Sequence, residues 1–497
     1  MQNSQHFRCV GIPVPVVVLA AFVFMPAGGR EAAAAQDRAE ETVSLLAGAA
    51  TSNITPPLGG GIVGGFLPIP SQQIHDELHA RCLVLDDGNT RLALVVCDLL
   101  GIHRAVSDEA RRLISEQLHI QSSNVMISAT HTHSACSALG SERYRFEIEL
   151  DDNQRFVAGR IADGVQRAVQ LLRPAELAVG SADAPEHVFN RRWFMQDGAV
   201  PVNPFGEYDQ VKMNPPGGSP HLLRPAGPVD PTISFIAVRE PGGAPIGLFA
   251  AYSLHYVGGV GPGHISSDYY GEFCDQLIRL LDVRDQDPAF VPMLANGTSG
   301  NINNINFRQP RPSQPAYQQI QYVAHDVAAK VHTALQQLAW DSQITLAAAY
   351  REAEIGWRRP TEHQLDRARV LLAAPVPEAG RADLPRIYAE RTLSMATHPE
   401  KAPVPLQVLR IGRVCLGTMP CEVFSEIGLE FRERAPLQPA FLVSLAHGYY
   451  GYLPTPAQHE LGGYETWLGT SRMEREASDR LLEHLLEMAS ELQPGRQ

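Results

Sequence analysis

Two histidines one residue apart, His131 and His133, occur in Ser128-Ala129-Thr130-His131-Thr132-His133-Ser134, directly after the apolar run Val125-Met126-Ile127. Imidazole is the commonest metal ligand and the usual proton carrier near neutral pH. Side chains alternate along an extended strand, so a strand ending on this tip is expected to turn both rings the same way. Such a pair can hold a metal ion and leave a base beside it. Four further segments place polar residues after apolar runs in the same manner. His255 follows Leu254 and precedes the glycine-rich turn 257–261, His264 and Ser266-Ser267-Asp268. Asn296-Gly297-Thr298-Ser299-Gly300-Asn301 follows Leu294, and Pro420-Cys421-Glu422 follows Thr418. His447-Gly448-Tyr449-Tyr450-Gly451-Tyr452 closes the series after Leu445. Loops beyond strand ends are where an α/β domain assembles its site.

The elements that must position these residues alternate along the chain. Two strands are expected within 81–98, joined at the hairpin signal Asp87-Gly88-Asn89, followed by a helix over 107–117 and the strand that begins near Asn124. A long helix is expected over 146–172 and a short strand over 176–180. The segment 197–231, dense in Pro, Gly and Asn, reads as a functional loop or lid. Strands are expected at 232–238, 246–254 and 290–294, with helices at 269–281 and 314–338. A strand at 345–357 precedes two helices, 361–373 and 384–395, in an insertion flanked by Pro-rich turns. A strand pair at 406–418, a helix at 425–433, a strand at 441–445 and a closing helix at 472–492 complete the reading. No internal repeat is visible. The pattern predicts a single large α/β catalytic domain with mixed β-sheets flanked by helices.

The chain has 497 residues with 41 Lys and Arg against 54 Asp and Glu, a formal net charge of −13 spread without long runs of one sign. That argues against a nucleic-acid partner, which requires a clustered basic face. Arg8, the apolar run 10–27 and the small residues 32–35 read as a signal peptide over 1–35, leaving a domain over 36–497. An exported protein, periplasmic or secreted, is therefore expected, with an uncleaved anchor as the rival reading. Cys82, Cys97, Cys136, Cys274, Cys415 and Cys421 show no C-x-x-C spacing, which excludes the usual cysteine zinc site and predicts buried apolar thiols.

Thr130-His131-Thr132-His133-Ser134, Asn190-Arg191, His255 with His264 and Ser267-Asp268, the Ser299 tip, Pro420-x-Glu422, and Tyr452 with Tyr464 twelve positions on occur in one order over roughly 45–470. In this the chain resembles the neutral/alkaline (non-lysosomal) ceramidase family. The resemblance implies a catalytic Zn2+ held by His131, His255, Glu422 and Tyr452, with His133 as the neighbouring base. It implies Arg191 and Tyr464 as stabilisers of the oxyanion and Ser299 as nucleophile or substrate-orienting hydroxyl, the second being favoured. The implied reaction is hydrolysis of an N-acyl amide, ceramide or a related N-acyl lipid, by attack of zinc-bound water, with transient membrane-surface contact possible. Asp98 and Asp268 are expected to fix the ligand imidazoles.

Structural alternatives stay open at this point. His131 and His133 could be hydrogen-bonded core histidines, and Glu422 a charge at the N-terminus of the following helix. Tyr452 and Tyr464 could be core aromatics, Ser299 a turn residue, and Arg192 could replace Arg191. The chain departs from the family pattern after each tip: Ser134-Ala135-Cys136, Gly297-Thr298-Ser299-Gly300 and Arg192-Trp193-Phe194. It is also expected to lack the C-terminal β-sandwich of long ceramidases. These departures motivate one alternative, a hydrolase of a more polar amide or ester; a non-catalytic envelope binding protein is a third reading, against which the retention of every proposed ligand type argues.

Overall fold

The expected hairpin forms between the strands His79–Asp86 and Arg91–Cys97. Asp87 caps its turn by accepting from the Asn89 and Thr90 amides, and Gly88 takes the positive φ of 85° that the turn requires. In this computed structural model, residues 44–140, 145–375 and 382–495 are described. The expected signal peptide lies outside the described residues. Everything described belongs to one unit, Val43–Gln497.

The hairpin belongs to an arrangement that occurs three times. The first copy runs through strands Leu46–Asn53, His79–Asp86 and Arg91–Cys97, helix Arg104–Leu118, strand Val125–Ala129 and helix Asp152–Gln170. The second has strands Glu176–Asp183, Thr232–Arg239 and Pro245–Tyr252, helix Asp268–Leu281, strand Val291–Asn296 and helix Gln318–Leu335. The third has strands Leu346–Gly356, Lys401–Ile411 and Val414–Thr418, helix Ser425–Arg434, strand Ala440–Val443 and helix Ala477–Glu491. In each, three antiparallel strands precede a helix that returns the chain to a fourth strand, parallel to the third. The expectation of no internal repeat is thereby corrected at the level of topology. Unequal connections, including the helices Glu362–Ala373 and Leu384–Ala396 inside the third copy, hide the repeat from a sequence scan.

Alternation along the strands sorts residues between two faces. Leu83, Leu85, Leu94, Ile236, Phe249, Met293, Leu409, Leu416 and Phe441 meet in one buried cluster, so the inner faces of all three sheets share a core. The outer faces carry the helices in pairs: Cys82, Val84 and Val95 pack with the helix residues Val106, Ile114, Ile161 and Val165. The other two sheets are backed likewise by their own helix pairs. The expected α/β domain of mixed sheets and flanking helices is the one observed. The six described cysteines are buried and none is in a disulfide. No helix among the described residues is long and apolar enough to cross a membrane.

The structure departs from the expected elements in three places. The strand Leu46–Asn53 was not anticipated, because its Ala- and Gly-rich sequence has little of the β-branched and aromatic character that marks strands. Gly48 explains the composition: a Cβ there would lie 2.1 Å from the Ala168 carbonyl oxygen of the helix packed on it. The helix expected from 146 begins at Asp152, where Asp151 and Gln154 form a capping box. The segment 197–231 is a brace: Val211–Met213 and Leu222–Pro225 pair on either side of Arg192–Met195.

Buried neutral histidines make the fold acid-sensitive. His459 is 7 % exposed, and burial together with Arg358, Arg475 and Arg192 pushes its pKa down to about 3. The unfolded chain then binds the proton that the folded ring refuses as pH falls from about 6.5 toward 3. Stability is complete above that window and declines through it, by at most about 1.4 kcal/mol per pH unit for this one ring. Melting temperatures between pH 7 and 5 should fall less steeply for His459→Gln than for the wild type; equal slopes would contradict this source of acid sensitivity.

Candidate metal centre

Residues of all three copies meet where the third and fourth strands end. His131 lies two residues beyond Val125–Ala129, with φ at 72°. The strand therefore does not extend through the His-Thr-His tip, and simple alternation does not aim the rings. Left-handed backbone at a non-glycine residue costs on the order of 1–3 kcal/mol and persists where the surroundings fix it. Here the His131 amide donates to Leu99 and its Nδ1 donates to the Leu100 carbonyl at 2.7 Å, which turns Nε2 toward the centre. Leu445 and His447, beyond the equivalent strand of the third copy, are also left-handed at φ 56° and 64°.

His255 follows Pro245–Tyr252 and is 1 % exposed. Its Nδ1 donates to the Ser299 carbonyl at 3.1 Å, with the Ser299 hydroxyl at 3.2 Å. The opposite atom, Nε2, has no hydrogen-bond partner. Glu422 follows Val414–Thr418 and is 3 % exposed. Its Oε1 accepts from the Tyr449 hydroxyl at 2.7 Å, whereas Oε2 has no partner. That oxygen lies 3.3 Å from His131 Nε2 and 3.7 Å from His255 Nε2. With both rings neutral, three buried acceptor atoms thus face one another. Such a contact is repulsive unless a cation lies among them, and two imidazoles with a carboxylate form a fitting donor set for a divalent ion.

Tyr452 completes the expected set. Its strand Tyr452–Leu453 pairs with Glu422–Val423, and Arg191 Nη2 donates to its phenol oxygen at 3.0 Å. His133 also enters: its Nε2 lies 3.2 Å from His131 Nε2, and His131, His133 and His255 could share an ion. Its ring stacks on Tyr256 at 3.7 Å between centroids. Burial, with His131 and Arg191 nearby, holds the His133 pKa well below the usual imidazole range. A second group of possible ligands, Glu186, His187 and Asp326, is already satisfied by Lys330 and by the His187–Asp326 bond.

Several expected roles shift. Arg191 is 3 % exposed and donates through Nε to Glu465 at 2.8 Å, so its guanidinium stands behind Tyr452 and not among the cleft-lining groups. Ser299 donates to Asn296 Oδ1 at 2.7 Å and is turned to His255 Nδ1, away from Nε2; that is a place for orienting the ring, not the substrate. Asp98 pairs with Arg81, and Asp268 accepts the Val257, Gly258 and Tyr269 amides; neither touches a ligand imidazole, because backbone carbonyls take that task. His264 bonds Tyr317 and stands outside the cluster.

A cleft of about 120 Å³ opens on the centre, lined by His131, His133, Glu422, Tyr452 and Tyr464 and by the segment Val63–Phe66. Sequence reasoning missed Tyr449, Glu465 and the glycines that let backbone approach. Glu465 pairs with both Arg191 and Arg192, one carboxylate oxygen to each. A Cβ on Gly64 would lie 2.3 Å from the His133 carbonyl oxygen, and one on Gly300 would lie 2.4 Å from that of Glu422. The glycine run 59–61 with 64–65 was the available signal. Gly300→Ala should displace Glu422 and weaken metal binding by about 10–100-fold, as loss of a ligand's support does. Metal titration of the apo-protein measures this; an unchanged affinity would mean that Glu422 does not bind the ion.

The fold and site together define an α/β protein with a candidate metal centre assembled across a threefold repeat. The sequence model described as neutral/alkaline non-lysosomal ceramidase, N-terminal, matches residues 46–302, just over half of the chain. The chain belongs to that family. Among solved structures it is similar in fold to neutral ceramidase from Pseudomonas aeruginosa, with a TM-score of 0.64 and 18 % identity over 90 % of this chain and 74 % of that one. It is likewise similar to a ceramidase complexed with C2, with a TM-score of 0.65 and 17 % identity over 90 % and 75 % of the two chains. Glu422 and Tyr452 lie beyond the sequence match, in the third copy of the repeat.

Proposed function

We propose that this chain is an exported metal-dependent amidohydrolase that cleaves an N-acyl linkage, with zinc as the ion and ceramide or a related N-acyl lipid as the substrate class. The observation that carries the reading is the convergence of His131 Nε2, His255 Nε2 and Glu422 Oε2, of which the last two are buried with no hydrogen-bond partner. Family membership supports the hydrolase class. His131, His255, Glu422 and Tyr452 would hold the ion. When bound, zinc supplies Lewis acidity that polarises a carbonyl and lets water ionise near pH ~7.

The chain's own residues do the rest. His133, held neutral by its surroundings, accepts the proton of the attacking water and returns it to the leaving nitrogen. Tyr464 lines the cleft and donates to the carbonyl oxygen as charge develops there. Arg191 holds the Tyr452 phenol, and Ser299 with its own carbonyl orients His255. A more polar amide or ester is the second reading, favoured by the small size of the cleft, about 120 Å³.

Atomic absorption on the purified protein, paired with fatty acid release from short-chain ceramide, tests the proposal. One bound zinc and chelator-sensitive release support it. Metal without ceramide cleavage removes the lipid assignment, and absence of metal removes the mechanism.

A further inference from the structure

The segment that forms one wall of the cleft carries no charge. Between Ile54 and His75 there is no Asp, Glu, Lys or Arg, in a chain that is 19 % charged. Within it Leu58, Phe66, Leu67, Ile69 and Ile74 are each at least 40 % exposed, Ile69 the most at 56 %. The segment is nonetheless built into the fold. Gly61–Ile62 pairs with Ile69–Pro70, the Gly59 amide donates to the Ser71 carbonyl, and the Ser71 amide donates to that of Gly60. Phe66 and Leu67 stand on the turn between these paired strands. The inner side is seated on the His-Thr-His tip: the Val63 amide donates to the Ala135 carbonyl at 3.3 Å, and Gly64 lies against His133 with no room for a Cβ. Val63 to Phe66 line the cleft directly.

Exposed apolar side chains gathered on one ordered segment mark a contact surface. Three observations select what covers it. A protein or a second copy seated on the segment would stopper the cleft whose wall it forms, whereas a lipid layer would feed it. At about 120 Å³ the cleft is smaller than the ~300 Å³ that encloses a drug-sized ligand, so the chains of an N-acyl lipid stay outside it. A charge-free segment on a chain of net charge −13 offers nothing to anionic headgroups, which basic clusters attract.

We infer that Leu58–Ile74 docks on a lipid layer with neutral headgroups, so that the amide of an N-acyl lipid enters the cleft while its chains remain in the layer. The inference rests on the lipid substrate class proposed above. Apolar side chains of interfacial elements reach about 5–10 Å into the headgroup boundary, the depth at which the amide of such a lipid lies.

Flotation of the purified protein with phosphatidylcholine vesicles reads docking. Turnover of long-chain ceramide in those vesicles is compared with that of short-chain ceramide held below its micelle concentration. The test variant combines Leu67→Ser and Ile69→Ser, since both side chains are largely exposed and neither lines the cleft. Tyr322→Ser, at a 58 % exposed position on helix Gln318–Leu335, is the control. The double variant should lose vesicle binding and kcat/KM on embedded substrate by about 10–100-fold, and keep turnover of the monomeric substrate within about twofold. Wild-type and control flotation should persist in about 0.5 M salt. No flotation of the wild type, equal flotation of the double variant, flotation only with anionic lipid, or an equal loss on monomeric substrate overturns the inference. So does a wild-type dimer that the double variant dissociates, which assigns the surface to a second copy. Flotation lost in the double variant alone, without hydrolysis by any form, keeps the docking surface and removes the hydrolase; hydrolysis that the double variant leaves unaltered does the reverse.

Discussion

Glu422→Gln should abolish stoichiometric metal binding and lower hydrolysis by roughly 10³-fold or more, the effect of losing several kcal/mol of Lewis-acid stabilisation. Glutamine keeps the volume of the side chain but withdraws the charge, and the other proposed ligand from the same strand pair, Tyr452, carries a phenol that burial pushes toward its neutral form. Two neutral imidazoles alone then face the cation. The same substitution has a second, opposite consequence. In the metal-free protein Oε2 is buried against His131 Nε2 at 3.3 Å and His255 Nε2 at 3.7 Å, and an amide N–H in its place can donate to one of them. Chelator-treated Glu422→Gln should therefore melt no lower than chelator-treated wild type. Calorimetry with and without metal checks both signs; an apo variant that melts far lower would show that the carboxylate serves the fold rather than an ion.

His133→Gln separates a base from a ligand. As a base, its loss lowers kcat by about 10²–10⁴-fold while bound metal stays near one equivalent. As a third nitrogen donor beside His131 and His255, its loss would strip the metal as well. Stacking of His133 on Tyr256, at 3.7 Å, favours retention of the ring's place independently of any ion. Metal content measured beside turnover on the same preparation distinguishes the two; loss of both together would move His133 into the ligand set.

The fold was largely legible because its strands are apolar runs punctuated by turn residues, as at Asp87-Gly88-Asn89. Leu46–Asn53 escaped because close helix packing at Gly48, not strand propensity, shaped its sequence. The threefold repeat escaped because it resides in connection order, which no residue pattern records. The convergence of His131, His255, Glu422 and Tyr452 follows from that repeat, since the third and fourth strands of each copy are parallel and end on the same side of a shared core. Residues named from the tips were placed at the centre, but their partners were not foreseeable. Leu100 and Ser299 offer backbone carbonyls, a property every residue has, and Glu465 reaches Arg191 across 274 positions. For the same reason Asp98 and Asp268 were assigned to imidazoles that they do not touch.

Anomalous diffraction at the zinc edge, from crystals of the metal-loaded protein, addresses the central claim most directly. The account predicts one peak bounded by His131 Nε2, His255 Nε2, a Glu422 oxygen and the Tyr452 phenol, at about 2.0–2.2 Å from each. A peak elsewhere, or full-occupancy protein with no peak among these four groups, would contradict it.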